Sequence, residues 1–313
     1  MAAVAGDPTA SKAPGRPTKI DPALACQEIS GATLEVADFA VTRAFYAPIF
    51  ATSGGSWDAK SKSTRFQAGT QTIEFVRRAR PRSYPNAADH WSYRVRATAL
   101  PPLVDQLAEQ GFAPEWWHED YPAERGLSAY LHDPTGHRVQ LLPSTDGGPF
   151  LDHAALEQHD LEAAEFFYTR ALGGTVTFSH GWDARDQLGL DDWMAGDDPS
   201  APFTRRVNIS YRTKRPAPMP LAHVFVTFGS TRLGLFLAPT HRQEPAPGVV
   251  RGTPRLTLRA RCSASDLEAH LRIVNVSPVD LKYDGGYVQF ERAGNDLFLR
   301  DPGGHFVQVT CRA

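Results

Sequence analysis

The chain has 313 residues, with 33 basic and 35 acidic side chains and a formal net charge of −2. That length is enough for two ordinary domains, and the near balance of charge argues against a nucleic-acid or anionic-membrane partner, which would show as a basic surplus. No apolar run approaches the roughly 20 residues that cross a bilayer, and three cysteines without CxxC spacing, Cys26, Cys262 and Cys311, point to a reducing, cytoplasmic setting rather than a disulfide framework or zinc knuckle.

Residues 1–28 are expected to be a disordered tail, rich in Ala, Pro, Gly and Thr and without a signal-sequence pattern. From Ile29 to Val36 the residues alternate as a strand, and Asp38 caps a helix with Ala44, Phe45, Ile49 and Phe50 at helical spacing. Short strands at Arg65 to Gln67 and Thr72 to Val76 complete a first strand-helix-strands unit, and the Arg- and Pro-rich stretch 77–88 is a linker. A second unit opens at His90 to Val95. Its helix is announced by Pro101-Pro102, carries Leu103, Leu107 and Ala108 on one stripe and ends at Gly111. Trp116 to Asp120 and Ser128 to His132 then lead to the turn Asp133-Pro134-Thr135-Gly136 and a strand with Val139 and Leu141 on one face and Gln140 on the other.

Beyond the hinge Asp146-Gly147-Gly148 the same order returns: strand Leu151 to Gln158, cap Asp160, helix Leu161 to Leu172 and Gly173-Gly174. An acidic insertion at 181–203 holds Trp182 and Trp193 and reads as a loop pinned by its tryptophans or as a lid. Strands follow at 206–212, 221–228 and 233–237. A last unit has a strand at Arg255 to Arg261, a helix at Asp266 to Val274 and strands at 286–292, 295–300 and 305–310.

Two pairs of copies tie this order together. Ala32, Leu34, Glu35, Asp38, Phe45 and Tyr46 recur 122 positions later as Ala154, Leu156, Glu157, Asp160, Phe167 and Tyr168. Leu131, Asp133, Pro134, Gly136, His137, Val139 and Gln140 recur 168 positions later as Leu299, Asp301, Pro302, Gly304, His305, Val307 and Gln308. The chain therefore reads as one domain written twice, 29–145 and 150–313, with the insertion in the second copy.

Four strand-helix-strands units, Phe-Tyr on the first helix of each copy and Asp-Pro-x-Gly-His before the last strand resemble the vicinal oxygen chelate superfamily, which includes glyoxalase I, extradiol dioxygenases, fosfomycin-modifying enzymes and bleomycin-binding proteins. The resemblance implies an α+β fold of two tandem domains, each built of two βαβββ units that form a cupped, mostly antiparallel sheet around a ligand. It also implies metal ligands on the first and last strands of each unit. Carried onto this sequence, and with each copy forming its own cup, the first cup has Gly31, Glu74, His90 and Gln140. The second has His153, Leu235, Arg255 and Gln308, with Leu235 matched to Glu74 by aligning Phe236 with Phe75.

On that reading Glu74, His90 and Gln140 hold a divalent metal ion in the first cup, with Glu74 as ligand or general base. The second cup, with Arg255 beside His153 and no carboxylate, suits an anionic or carbonyl-bearing ligand contacted by His153, Arg255 and Gln308, and Trp116 and Trp193 are further substrate-binding candidates as aromatic walls. Each residue has a plainer role open to it: Glu74 as an exposed strand carboxylate, His153 as a satisfied core histidine, and the glutamines as hydrogen-bond partners. His223 is ambiguous between cup and core. The resemblance implies metal-assisted lyase or isomerase chemistry on a small molecule with adjacent oxygens, with a metal-free, drug-sequestering binder as the alternative and extradiol cleavage a poorer match. A monomer or homodimer is expected.

Overall fold

The computed structural model describes residues 20–50, 62–83, 89–119, 126–145, 147–158, 161–180, 223–237, 249–274 and 289–312. In chain order the elements are β1 (Cys26–Val36), α1 (Phe39–Phe50), β2 (Ser63–Ala68), β3 (Gln71–Arg77), β4 (His90–Arg96), α2 (Leu100–Glu109), β5 (Glu115–Glu119), β6 (Gly126–His132) and β7 (Arg138–Ser144). They continue as β8 (Phe150–Gln158), α3 (Leu161–Phe166), β9 (Thr175–His180), β10 (His223–Phe228), β11 (Thr231–Leu237), β12 (Arg255–Ser263), α4 (Ala264–Val274), β13 (Gln289–Ala293), β14 (Asp296–Arg300) and β15 (Phe306–Arg312). The insertion at 181–203, the strand expected at 206–212, Asp160, Trp182 and Trp193 lie outside the described residues.

Local chemistry places these elements where the sequence pattern does. Asp38 Oδ1 accepts from the backbone N–H of Ala40 at 2.6 Å and of Val41 at 3.2 Å, which caps α1. Asp133 Oδ1 accepts from the N–H of Thr135 and His137, and Gly136 and Gly304 take φ of 95° and 90°, so the two Asp-Pro-x-Gly turns are alike. The helix expected over 161–172 is α-helical only to Phe166; Phe167–Ala171 form a wider π turn that buries both Phe167 and Tyr168.

The strands form two sheets, ordered β13-β14-β15-β12-β1-β3-β2 and β5-β6-β7-β4-β8-β11-β10-β9. Within each unit the first and last strands pair in parallel, as β1 with β3 and β4 with β7, and hairpins fill the rest. The fold is α+β with four repeated units, but the pairing of units differs from the expected one. β1 pairs antiparallel with β12, and β4 with β8, so the first unit shares a sheet with the last and the second shares one with the third. Connection length explains this: only 145–149 separate β7 from β8, and short links join elements that are neighbours in space.

The helix-facing sides make the core. Tyr46, Phe50, Phe66, Phe75 and Tyr93 interlock with ring centroids 4.5–5.9 Å apart along the chain Tyr46–Phe75, Tyr46–Phe50, Phe50–Phe66 and Phe50–Tyr93, and each is almost wholly buried. Tyr93 comes from the eight-stranded sheet and the others from the first unit, so this cluster welds the two sheets at about 1.5–3 kcal/mol per buried ring. Gln71 adds a polar stitch: its amide donates to Leu151 O at 2.8 Å and its Oε1 accepts from Leu151 N–H at 2.9 Å. The three cysteines, scattered in sequence, gather as free thiols at one end of the seven-stranded sheet, where burial and the other two thiols raise Cys26 well above the ordinary thiol range.

Candidate functional site

The eight-stranded sheet is centred on the antiparallel pair β4 and β8, and a bulge there sets the site. Ser92 lies opposite His153 and Tyr93 opposite Leu151, which leaves Asp152 as the extra residue on β8. Register then gives one face to His90 and Ser92 on β4, Gln140 on β7, Tyr130 on β6, His153 on β8, Gly234 and Phe236 on β11 and His223 and Phe225 on β10. The opposite face carries Trp91, Tyr93, Val139, Leu141, Leu156 and Leu235, all buried against the helices.

At the centre of the first face His90 Nε2 and His153 Nε2 stand 3.1 Å apart. Both rings are buried, at 6% and 3% exposure. His153 Nδ1 donates to Asp152 Oδ2 at 2.7 Å, which fixes the ring with its proton on Nδ1 and its Nε2 lone pair toward His90. Asp152 is itself held by Arg94 Nε and Arg232 Nη2, each at 2.5 Å. Burial alone would raise the Asp152 carboxyl, but the hydrogen bond from His153, with the Arg232 and Arg94 guanidiniums, holds it well below the usual carboxylate range. Gln140 is buried with its Nε2 3.5 Å from Ser128 Oγ, and Ser92 Oγ is buried without a hydrogen-bond partner among the described residues. Aromatic rings wall the face: Tyr130 lies 5.4 Å and Phe236 6.2 Å from His90, and Phe225 lies 5.5 Å from His153. His223 stacks on Phe236 at 4.7 Å, which settles its place on the cup face rather than in the core.

The spacing of the two imidazoles matches that of two ligands on one divalent cation. Two imidazole nitrogens that each bind a cation at about 2.0–2.1 Å and meet at close to a right angle stand about 3 Å apart. A carboxylate behind a ligating imidazole is the usual support for such a ligand, and Gln140 adds an amide on the same face. The donors are neutral, and among the described residues no three His, Cys, Asp or Glu side chains converge as a metal site.

The structure therefore regroups the residues expected from the sequence. Glu74 is on β3 of the seven-stranded sheet, whereas His90 and Gln140 are on the eight-stranded one, so the three do not share one face. His153, expected beside Arg255, sits against His90 instead, because β8 pairs with β4 and β12 pairs with β1. Leu235 is not the counterpart of Glu74. Thr33 pairs with Glu74, and its counterpart Ala155 pairs with Gly234, so the aligned pair of phenylalanines was one residue out of register and Leu235 faces the core. Trp116 pairs with Ala129, on the helix-facing side of its sheet, and is 39% exposed there rather than in the cup. Asp152, Ser92, Tyr130 and Phe236 were not singled out from the sequence. The adjacent Asp152-His153 was the one available signal, and it needed the bulge to give it meaning.

The seven-stranded sheet has a different face. Thr33, Glu74, Arg255, Thr257, Phe298 and Gln308 share it by register, with no imidazole among them. Glu74 accepts from Arg65 Nε at 3.3 Å and Thr33 Oγ1 at 3.4 Å. Gly31, the counterpart of His153, contributes no side chain, and a Cβ there would lie 1.9 Å from Thr72 O.

The sequence matches no family model, and no curated protein matches it. Its structure is similar to glyoxalase I from Zea mays, at 13% identity with 91% of this chain and 92% of that one covered and a TM-score of 0.58. A variant of the same enzyme gives 14% identity, 91% and 94% coverage and a TM-score of 0.59. A Bacillus subtilis protein provisionally named a dioxygenase gives 13% identity, 92% and 86% coverage and a TM-score of 0.56. With four repeated units in two sheets, and these likenesses running along nearly its whole length, the chain has the tandem fold of glyoxalase I.

Proposed function

We propose that the protein transforms a small molecule bearing adjacent oxygens in the cup of the eight-stranded sheet, where His90, His153 and Gln140 hold a divalent cation. The observation that carries this reading is the 3.1 Å approach of the two imidazoles with Asp152 fixing one of them from behind. A cation held there supplies Lewis acidity to the bound oxygens. Asp152 keeps the His153 proton on Nδ1 and so keeps Nε2 available. Tyr130, Phe225 and Phe236 bury the body of the substrate and exclude water. In this reading His223, on the same face, moves the proton, the role that Glu74 would have had in a cup shared with His90. Proton transfer of the lyase or isomerase type suits this set, as does the likeness to glyoxalase I.

The same contact favours one other reading. A direct hydrogen bond between the two rings satisfies both without a cation, and an aromatic-walled cup then serves as a metal-free binder of a small molecule. Metal analysis of purified protein, loaded with Ni, Mn, Fe or Zn and dialysed, separates the two. Stoichiometric metal that is lost in His90→Ala and His153→Ala but kept in Glu74→Ala supports the enzyme. Absence of metal after loading leaves the binder, and loss of metal in Glu74→Ala would overturn the assignment of the cup.

A further inference from the structure

We propose that the face of the seven-stranded sheet is a second, metal-free site, which binds a small monocarboxylate through Arg255. This guanidinium is partly buried on β12, yet its donors are poorly used. Nε is buried with no hydrogen-bond partner among the described residues, and the terminal nitrogens reach only Gly252 O at 3.5 Å and Thr33 Oγ1 at 3.4 Å. Contacts of that length are weak, and a buried charged donor left unmatched is costly, so the position favours a partner that arrives from outside. The planar fork of an arginine matches a carboxylate with two parallel hydrogen bonds.

The surroundings narrow the ligand further. Arg255 Cζ lies 5.3 Å from the ring centroid of Phe298, which offers an apolar wall, and Gln308 pairs with both Phe298 and Thr257 to set an amide beside it. Arg251, also over Phe298 at 5.0 Å, is already paired with Glu291 at 2.7 Å. The carboxylates nearest in effect are Glu74 and Asp296. Neither makes an ion pair with Arg255, but both face it across the sheet. The Phe298 ring favours an anion with an apolar body over inorganic phosphate, so a small monocarboxylate is the ligand that fits. Burial lowers the Arg255 pKa, and a bound carboxylate reverses that penalty.

Calorimetric titration of the full chain with benzoate, with inorganic phosphate as the second probe, tests this. The expected result is saturable 1:1 binding of benzoate, weakened at least tenfold in Arg255→Met and to a lesser degree in Arg255→Lys, which keeps the charge and loses the fork. Protein stripped of metal with a chelator and dialysed binds benzoate as before, so failure here is distinguishable from failure of the metal site. Circular dichroism establishes that the variants are folded, and Phe298→Ala is the second variant should Arg255→Met not fold, with the same loss expected. No saturable benzoate binding, undiminished binding in the folded variants, or phosphate binding equal to that of benzoate overturns the proposal.

Discussion

Tyr46 on α1 donates its hydroxyl to Asp133 Oδ2 at 2.9 Å, and its copy Tyr168 donates to Asp301 Oδ2 at the same distance. The two signatures that mark the repeat in sequence, Phe-Tyr and Asp-Pro-x-Gly-His, are therefore one structural device used twice. In each copy a buried phenol from the first unit satisfies the buried carboxylate that organises the turn of the second unit. The first lock also has His137 Nε2 at 2.9 Å from Glu35 O. The sheets join units across copies, and these locks join units within a copy, so the halves are bound by both kinds of contact.

Removing one phenol tests the lock. Tyr168→Phe leaves the ring in its pocket and takes one hydrogen bond from a buried carboxylate, which costs about 1.5–3 kcal/mol by the usual worth of a bond to a charged group. Tyr46→Phe should cost a similar amount. Urea unfolding followed by circular dichroism measures both. A change within error of zero in either variant would show that the carboxylate has other partners of equal strength.

The second lock is also a pH sensor of stability. Burial alone would push the His305 imidazolium down, but the charge of Asp301 and its hydrogen bond, with Asp89 at 3.5 Å behind, raise it to about 10. Asp301, which burial alone would raise, is held below the ordinary carboxylate range by His305 and Gln158. A raised histidine stabilises fully below its unfolded value near 6.5 and loses that contribution as pH rises toward 10. The lowered Asp301 contributes above about 3.8 and loses its share below that. Thermal unfolding should thus show stability falling from about pH 7 to pH 10, and His305→Gln should flatten that fall. An unchanged slope in His305→Gln would place the titration elsewhere.

The repeat was legible because its markers are turn and capping residues with fixed local jobs, such as Asp38, Asp133 and Gly136. The choice of sheet partner was not. The alternation in Ile29 to Val36 and in His90 to Val95 states which face is buried but not which strand lies alongside, since β1 could meet β4 or β12 with equal hydrophobic sense. That ambiguity misplaced Glu74 and Arg255 relative to His90 and His153. The substitution of Leu235 for Gly234 arose differently, from aligning one phenylalanine with another in a strand whose period is two. Asp152 acts on His153 only because a bulge lets consecutive residues turn toward each other, and no sequence pattern specifies a bulge there.

Gly31 explains why the seven-stranded sheet has no counterpart to the paired imidazoles. A Cβ at this position would stand 1.9 Å from Thr72 O and 2.9 Å from Thr72 C, both backbone atoms that the β1–β3 ladder fixes. Gly31→Ala should destabilise by about 1–3 kcal/mol or more, the usual scale of overpacking. At Gly234 the nearest atoms are ring carbons of Phe236 and Phe225, which can turn aside, so Gly234→Ala should cost less. The comparison of midpoints in urea decides it, and equal costs would mean that the Thr72 backbone yields as readily as a ring.

Asp152→Asn asks whether His153 is a ligand that is positioned or merely a buried ring. The amide can still accept from Nδ1, so the ring keeps its place, but the negative charge behind it is gone and Arg94 and Arg232 lose their shared anion. If the cup holds a cation, metal affinity should fall by about 10–100-fold, the effect typical of a lost outer-shell carboxylate. Competition with a chromogenic chelator reads the affinity directly and needs no substrate. A purely structural role for Asp152 predicts lower stability with metal affinity unchanged in the folded fraction, and that result would remove the support for a cation between His90 and His153.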